Sequence, residues 1–562
     1  MIEDITAREA ASEKPASAYS WYVLGVLVVV YILNFIDRQI LSILAVDIKR
    51  DLALTDGQLG FLGGAAFAVF YALFGVPLGR LADRWHRVRL LSIGLVLWST
   101  MTALSGFARN YLTLSLARMG VGVGEATASP TAYSLISDYF PSRQRATALA
   151  IYSSGLYLGG GVSLLIGAKI SKVWDAAYPG GGMGGLVGWQ AAFLAVGLPG
   201  LLLALWVASL REPPRPPAQT TGMRHPLVDF LVDLSMLLPP FTLWHAMRRG
   251  PMAVLINLAM AAAMIGLAGV MIKLTGNLPQ WSAMAFGYYA VFSWAASLRR
   301  HDPATFSLIW GTPAFICTAL GYGLVSLVAY ALAFWSAPYA ETVLELPKAQ
   351  LAFVLGGSGA LSGFLGVILG GRLSDWLRGR NPAGRILVVM FGVVAPVVPI
   401  WVGFTTVNAA LFYVMNFLAV MFAATALGAA AATTQDLVLP RMRGTATASF
   451  FLATTLVGLA IGPYMVGQIS EISGSMRIGV LSLIGVAPIS LVLLIYAYRA
   501  LPEAEATIAQ RAQAAGECRA LAPQVPNARH RKPVRLHWVS REREPVSLHK
   551  TGKPTQLVSS GR

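Results

Sequence analysis

Apolar blocks of about twenty residues recur along nearly the whole chain, each long enough to cross a hydrocarbon layer about 30 Å thick as a helix. They predict six spans near 20–46, 57–80, 89–108, 111–138, 145–170 and 187–210, and six more near 312–337, 349–373, 386–405, 408–437, 445–470 and 478–498. Between the two sets, the Pro-rich stretch from Glu212 to Pro217 reads as a linker, because consecutive prolines stop a helix and extend the chain. Two further apolar stretches, near 251–272 and 280–298, are bracketed by Arg248 and Arg249 before and Arg299 and Arg300 after, with Lys273 between them. That pattern predicts a membrane hairpin that enters and leaves on one side, for about fourteen spans in all. Asp229, Asp233 and the Pro239-Pro240 pair interrupt 227–244, which is expected to be an interfacial helix. The fold class predicted is an all-α polytopic membrane protein of two six-helix bundles with about two extra helices between them. The segments are 1–19, a bundle over 20–211, a linker over 212–305 with its hairpin at 251–298, a bundle over 306–500, and a basic tail over 501–562 without predicted structure.

Composition supports this reading. The 562 residues are 56% hydrophobic and 12% charged, whereas soluble domains carry about a quarter charged residues. The net charge of +17 invites a nucleic-acid partner, but its placement argues otherwise. Arg80, Arg84, Arg87 and Arg89, then Arg143 and Arg145, and in the second half Arg372, Arg378, Arg380 and Arg385, then Arg441 and Arg443, fall in alternate short loops. Such a bias sets membrane orientation and places both termini in the cytoplasm, with no nucleic acid called for. The protein is expected in a bacterial inner membrane, as a monomer, with no cleaved signal peptide. Cys317 and Cys518 are the two cysteines, so neither a disulfide framework nor a cysteine-rich metal site is available, and no metal is expected. Arg529, His530, Arg531, Lys532 and Arg535 in the tail suit contact with anionic lipid.

An internal repeat marks two related halves. Gly79-Arg-Leu-Ala-Asp83 and Gly371-Arg-Leu-Ser-Asp375 each end the second span of a half, and Asp138, Arg143 and Arg145 share their spacing with Asp436, Arg441 and Arg443. Gly79, Asp83, Arg84 and Arg87 resemble the signature of the major facilitator superfamily, and Asn34-Phe-Ile-Asp-Arg38 with Gly122-Val-Gly-Glu-Ala126 resembles the Spinster-like lysolipid and sphingolipid carriers within it. The resemblance covers most of the first half and extends more loosely through Trp335 and Pro338; it fails over 218–305 and after about 500. It implies the major facilitator fold, a proton-coupled carrier acting by alternating access, and a conformational latch formed by Gly79, Asp83, Arg84, Arg87, Asp138, Arg145, Gly371 and Asp375. It also implies an amphipathic substrate of lysolipid, sphingolipid or drug type, and export.

The residues themselves carry the coupling chemistry. An ionisable side chain at the centre of a membrane helix costs about 2.5–3.5 kcal/mol on insertion scales, so Asp37, Arg38, Arg118 and Glu125 must offset one another. With a rise of about 1.5 Å per residue, Asp37 lies roughly 15 Å from the outer end of its span and Arg118 roughly 12 Å from its own, depths that suit a salt bridge. Glu125 follows Arg118 by about two turns on the same face, so one arginine can serve two carboxylates in turn. Asp37 and Glu125 are therefore expected to carry the proton, with Arg38 and Arg118 as charge partners or as the grip on a substrate head group. A permanent ion-paired network that never titrates is the competing account. Tyr31, Asn34, Tyr152, Tyr157, Trp335 and Asn416 are candidates to line a cavity. Gly120-Val-Gly-Val-Gly124 sits inside a span and reads as close helix packing, not as a nucleotide loop. No nucleophile elbow, metal-ligand spacing or ATP motif occurs, so the chain is not expected to be an enzyme or to use a cofactor beyond the proton. Two other readings stay open: a carrier for a small polar organic anion, marked by a wet polar cavity, and a non-transporting receptor or scaffold.

Overall fold

The computed structural model describes residues 16–213, 226–239 and 241–517, apart from the side chains of Ser142, Arg143, Ala146 and Met183. Most of the N-terminal segment, Cys518 and the basic cluster at 529–535 lie outside the described residues. Every regular element among the described residues is helical.

Among the described residues, twelve helices are long and apolar enough to cross a membrane. Two expected spans fall outside that set for local reasons. The fourth is bent, running as Tyr111–Glu125 and Ala128–Tyr139 with a break at Ala126 and Thr127. Leu278–His301 is long, but it is rich in Tyr, Trp, Ser and Gln and ends in Arg299, Arg300 and His301. The twelve and these two helices occupy the fourteen stretches expected from the sequence. Boundaries are set by side chains that satisfy the orphan N–H groups of the first turn. Ser17 caps the first span, Ala18–Asp51, Thr55 and Gln58 form a capping box at the start of the second, and Asn110, Asn277 and Asn408 cap later helices.

Small residues let spans approach closely. A Cβ on Gly122 would stand 2.5 Å from the Phe67 carbonyl oxygen, and one on Gly124 would stand 2.7 Å from the Trp98 nitrogen. The fourth span is thus pressed against the second and third, as the packing reading of the glycine run predicts. Between the halves, Gly161 of the fifth span (Ser142–Ala177) and Gly356 of the eighth (Lys348–Arg378) meet in the same way, with a Cβ on the former 2.5 Å from the carbonyl oxygen of the latter.

Two segments differ from expectation. The region 227–244 holds two short helices, Pro226–Ser235 and Phe241–Met247. The expected tail begins as ordered helix: the last span runs from Val486 to Ala506, and a further turn, Ile508–Ala514, follows. Leu501 and Ala512 are buried in the C-terminal core, and Glu505 and Glu517 pair with Arg378 and Arg441. Apolar side chains every few residues past 500 extend the helix because the bundle offers them a surface.

Candidate functional site

The first span brings Asp37 and Arg38 to the middle of the N-terminal half, where the fourth span supplies Arg118 and Glu125. Asp37 and Glu125 are fully buried and Arg118 nearly so. Arg38 Nε donates to Glu125 Oε2 at 2.6 Å. The Arg38 guanidinium also lies over the rings of Phe67 and Tyr71, each 4.6 Å away, and of Phe35 at 5.0 Å. Aromatic faces supply the negative potential that hydration would supply in water.

The expected Asp37–Arg118 salt bridge is not formed. Arg118 Nη1 donates instead to the backbone carbonyl of Asp37 at 3.0 Å, and neither carboxyl oxygen of Asp37 has a hydrogen-bond partner among the described residues. Depth along the helices is right, but rotation about the first span turns the side chain of Asp37 away. Trp98 Nε1 and Thr102 Oγ1 of the third span, both buried, are the donors that face it. The arginine shared by two carboxylates is therefore replaced by one tight pair, Arg38–Glu125, and one lone acid.

A cavity of about 260 Å³ lies between the halves, lined by the first, fifth, seventh, eighth and tenth spans. Of the candidates from the sequence, Tyr157 and Asn416 line it. Tyr31, Asn34, Tyr152 and Trp335 do not. Tyr31 and Tyr152 stack on each other with ring centroids 4.3 Å apart, Asn34 is buried one turn before Arg38, and Trp335 spends its N–H on the Pro463 carbonyl at 2.8 Å. In each case packing inside the bundle has taken the side chain. Phe35, Gln39, Tyr322, Tyr330 and Ser336 belong to the lining and were not singled out from the sequence. None of the lining residues is ionised, and neither Arg38 nor Arg118 is among them. Phe35 and Gln39 flank Asp37 and Arg38 on one helix, so the cavity wall and the charge network share a turn.

The latch residues divide. Arg87 pairs with Asp138 and with Glu212, the latter at 2.7 Å, and Arg385 pairs with Asp436. Both Arg–Asp pairs span 51 residues, so the repeat in sequence is a repeat in contacts. Arg385 also reaches Asp375 at 3.4 Å, and Arg145 donates to the Ser137 carbonyl at 2.8 Å. Arg84 pairs with Asp229 at 3.0 Å, and Arg80 with Asp233 at 2.7 Å, both on the linker helix. Asp83 is exposed at this end. Gly79 and Gly371 do not serve close approach: a Cβ on Gly79 would meet Pro130 at an ordinary 3.9 Å, and one on Gly371 would meet nothing within 4 Å. At this end the Arg87 and Arg385 pairs each stay within one half.

The opposite end joins the halves. Lys348 pairs with Asp47, Ser470 Oγ donates to Asp56 at 2.9 Å, and Gly57 N–H donates to Glu471 at 3.1 Å.

Residues 27–300 match the Major Facilitator Superfamily. An MFS-type efflux pump of Mycolicibacterium smegmatis is 26% identical over 452 residues, covering 80% of this chain and 85% of that one. Protein spinster homolog 1 of Xenopus tropicalis is 25% identical over 477 residues, 81% of this chain and 74% of that one. Among solved structures, a bacterial homologue of the human lysosomal transporter Spinster, in an inward-facing and unoccupied conformation, superposes with a TM-score of 0.64 at 25% identity, covering 90% of this chain and all of that one. Fold, internal repeat and sequence agree: this chain is a multi-pass membrane protein with the major facilitator fold, its residues 27–300 match that superfamily, and Spinster proteins are among its relatives.

Proposed function

We propose that the protein is a proton-coupled secondary transporter that moves an amphipathic, lysolipid-like or drug-like molecule by alternating access. The observation that carries this reading is the cavity between the halves. Its wall is aliphatic and aromatic, with Tyr157, Tyr330, Ser336, Gln39 and Asn416 to receive a polar group, and it holds no charge. An organic anion such as a sugar acid calls for a cation in the wall, because burying a carboxylate without one is costly; the lining disfavours that alternative.

Coupling is assigned to Asp37 and Glu125. A buried carboxylate without partners carries its charge at a large cost, and a proton on Asp37 removes that cost. Glu125 holds Arg38 while it is ionised and releases it when it takes a proton. Because Arg38 rests on Phe35, which lines the cavity, that release is felt at the wall. Arg38 and Arg118 act as charge partners, not as a substrate grip. Placing the basic loops in the cytoplasm puts the joined end outside and makes the conformation inward-facing.

The test is a pH jump in proteoliposomes, with lysophospholipids and hydrophobic cations screened as substrates. A proton gradient should drive flux in the native protein, and Asp37→Asn or Glu125→Gln should abolish the gradient dependence. Flux that ignores the gradient in all three proteins would make the acids structural.

A further inference from the structure

The inserted hairpin plays no part in the coupling scheme, yet its second helix, Leu278–His301, touches both halves at once. A Cβ on Gly287 would stand 3.3 Å from Val69 Cγ1 on the second span and 3.4 Å from Leu456 Cδ2 on the eleventh. Around it, Met284, Ala290 and Trp294 share one buried cluster with Ala72, Leu73, Leu452 and Leu456, and Leu237 from the linker is buried in the same place. Inserted residues fill the seam where the second and eleventh spans face each other.

The two contacts differ in kind. Toward the eleventh span they are directional: Gln280 Nε2 donates to the Ala460 carbonyl at 3.1 Å, Trp281 Nε1 to Tyr464 Oη at 3.2 Å, and Tyr288 Oη to the Leu456 carbonyl at 3.4 Å. Leu456 lies in a π-helical turn, Thr454–Leu459, whose wider winding changes the local backbone bonding. Asp302, just past the hairpin, is held by Arg441 Nη1 at 2.7 Å. Toward the second span the contact is apolar, with Val69 and Ala72 joined by the larger Leu73 and Val76 beside Val291 and Trp294; packing without directional bonds permits shear. The linker helix Pro226–Ser235 is tethered to the second span by Arg80–Asp233 and Arg84–Asp229. Ser293 donating to the Met236 carbonyl and Thr242 with Tyr289 join tether to hairpin, and a displacement would break these bonds. The central cavity, meanwhile, takes none of its lining from the second or eleventh span.

We propose that the hairpin is a side panel carried by the C-terminal half, sliding over the second span and keeping the second–eleventh seam closed to lipid. This rests on the alternating-access reading above.

Closure is tested on the native full-length protein in liposomes doped with a phospholipid bearing a diazirine near the end of its acyl chain. Irradiation and mass mapping should find adducts on the exposed face of Pro251–Thr275, such as Leu255 and Ile265, and none on Leu73 or Leu456. Adducts on Leu73 or Leu456 would overturn the panel. Competition by an added lysophospholipid at Leu156, Val367 and Val420 addresses the substrate class separately, so the two readings fail independently.

Motion is tested with disulfides in a Cys317→Ser, Cys518→Ser background, with nitroxides carried on keto side chains introduced at Thr55 and Ser473. Before cross-linking, two separations of the joined end are expected as pH is varied. The Val69→Cys/Gly287→Cys bridge should remove the longer one, and the Gly287→Cys/Leu456→Cys bridge should keep both. The reverse result would detach the panel from the C-terminal half. A single separation before cross-linking would overturn alternating access and this inference with it.

Discussion

Arg38, Glu125 and Asp37 show how differently buried charges can be satisfied within one turn of helix. Arg38 has a carboxylate and three aromatic faces, whereas the Asp37 carboxyl has no hydrogen-bond partner among the described residues. Breaking one side of a buried pair costs about 3–5 kcal/mol, because the partner is left charged and alone. Glu125→Gln should therefore lower the melting temperature in detergent, while Asp37→Asn should leave it unchanged or raise it; equal losses would mean that Asp37 is paired. Arg38→Lys tests the aromatic bed, since an ammonium has no planar face to stack and a different hydration. Coupled flux is expected to fall at least about tenfold, on the scale of about 1.4 kcal/mol per decade. The sequence groups these three residues with Arg118; it could not show which pairs form, because the choice depends on helix rotation.

At the scale of elements, helix ends and glycine contacts decide the packing. The apolar blocks placed the spans well, and the break at Ala126 and Thr127 follows a glycine-rich run visible in the chain. The Gly161–Gly356 contact was not legible, since nothing local marks which of many glycines will meet another helix. Gly356→Ala should part the fifth and eighth spans at the joined end and shift the protein toward the state open there, which cysteine accessibility at Asp47 would report. Asp302 offers a pH test outside the spans. Burial pushes its carboxyl up, but hydrogen bonds from Arg441 and Thr305 outweigh burial and hold it at about 2. A depressed native pKa contributes stability above the unfolded value near 3.9, and that contribution is lost as pH falls through about 2. The melting gap between the native protein and Asp302→Asn should therefore be full at about pH 5 and close as pH approaches about 2.

At the scale of the molecule, the halves are joined at one end through Lys348, Asp47, Asp56 and Glu471, while the Arg87–Asp138 and Arg385–Asp436 pairs at the other end each stay within a half. Lys348 also reaches Glu341 at 3.4 Å, so it serves two acids from the two halves. Lys348→Met should raise the population separated at this end, read as a longer distance between labels at Thr55 and Ser473. An unchanged distance would assign the closure to the glycine contacts and the Ser470–Asp56 bond instead.

The chain alone determined what a lipid solvent demands of it. Long apolar runs must be helices because a bilayer leaves no other way to satisfy the backbone, and basic residues in alternate loops and a repeated Gly-to-Asp motif follow from local spacing. What the tertiary structure decided was partnership across distance: Arg118 with the Asp37 carbonyl, Arg84 with Asp229, Arg87 with Glu212, and Gly287 between Val69 and Leu456. Such pairs join residues separated by 81 to 145 positions in the hydrogen-bonded cases, and they are set by how each helix is turned about its axis, a quantity that side-chain packing fixes and that no local pattern encodes.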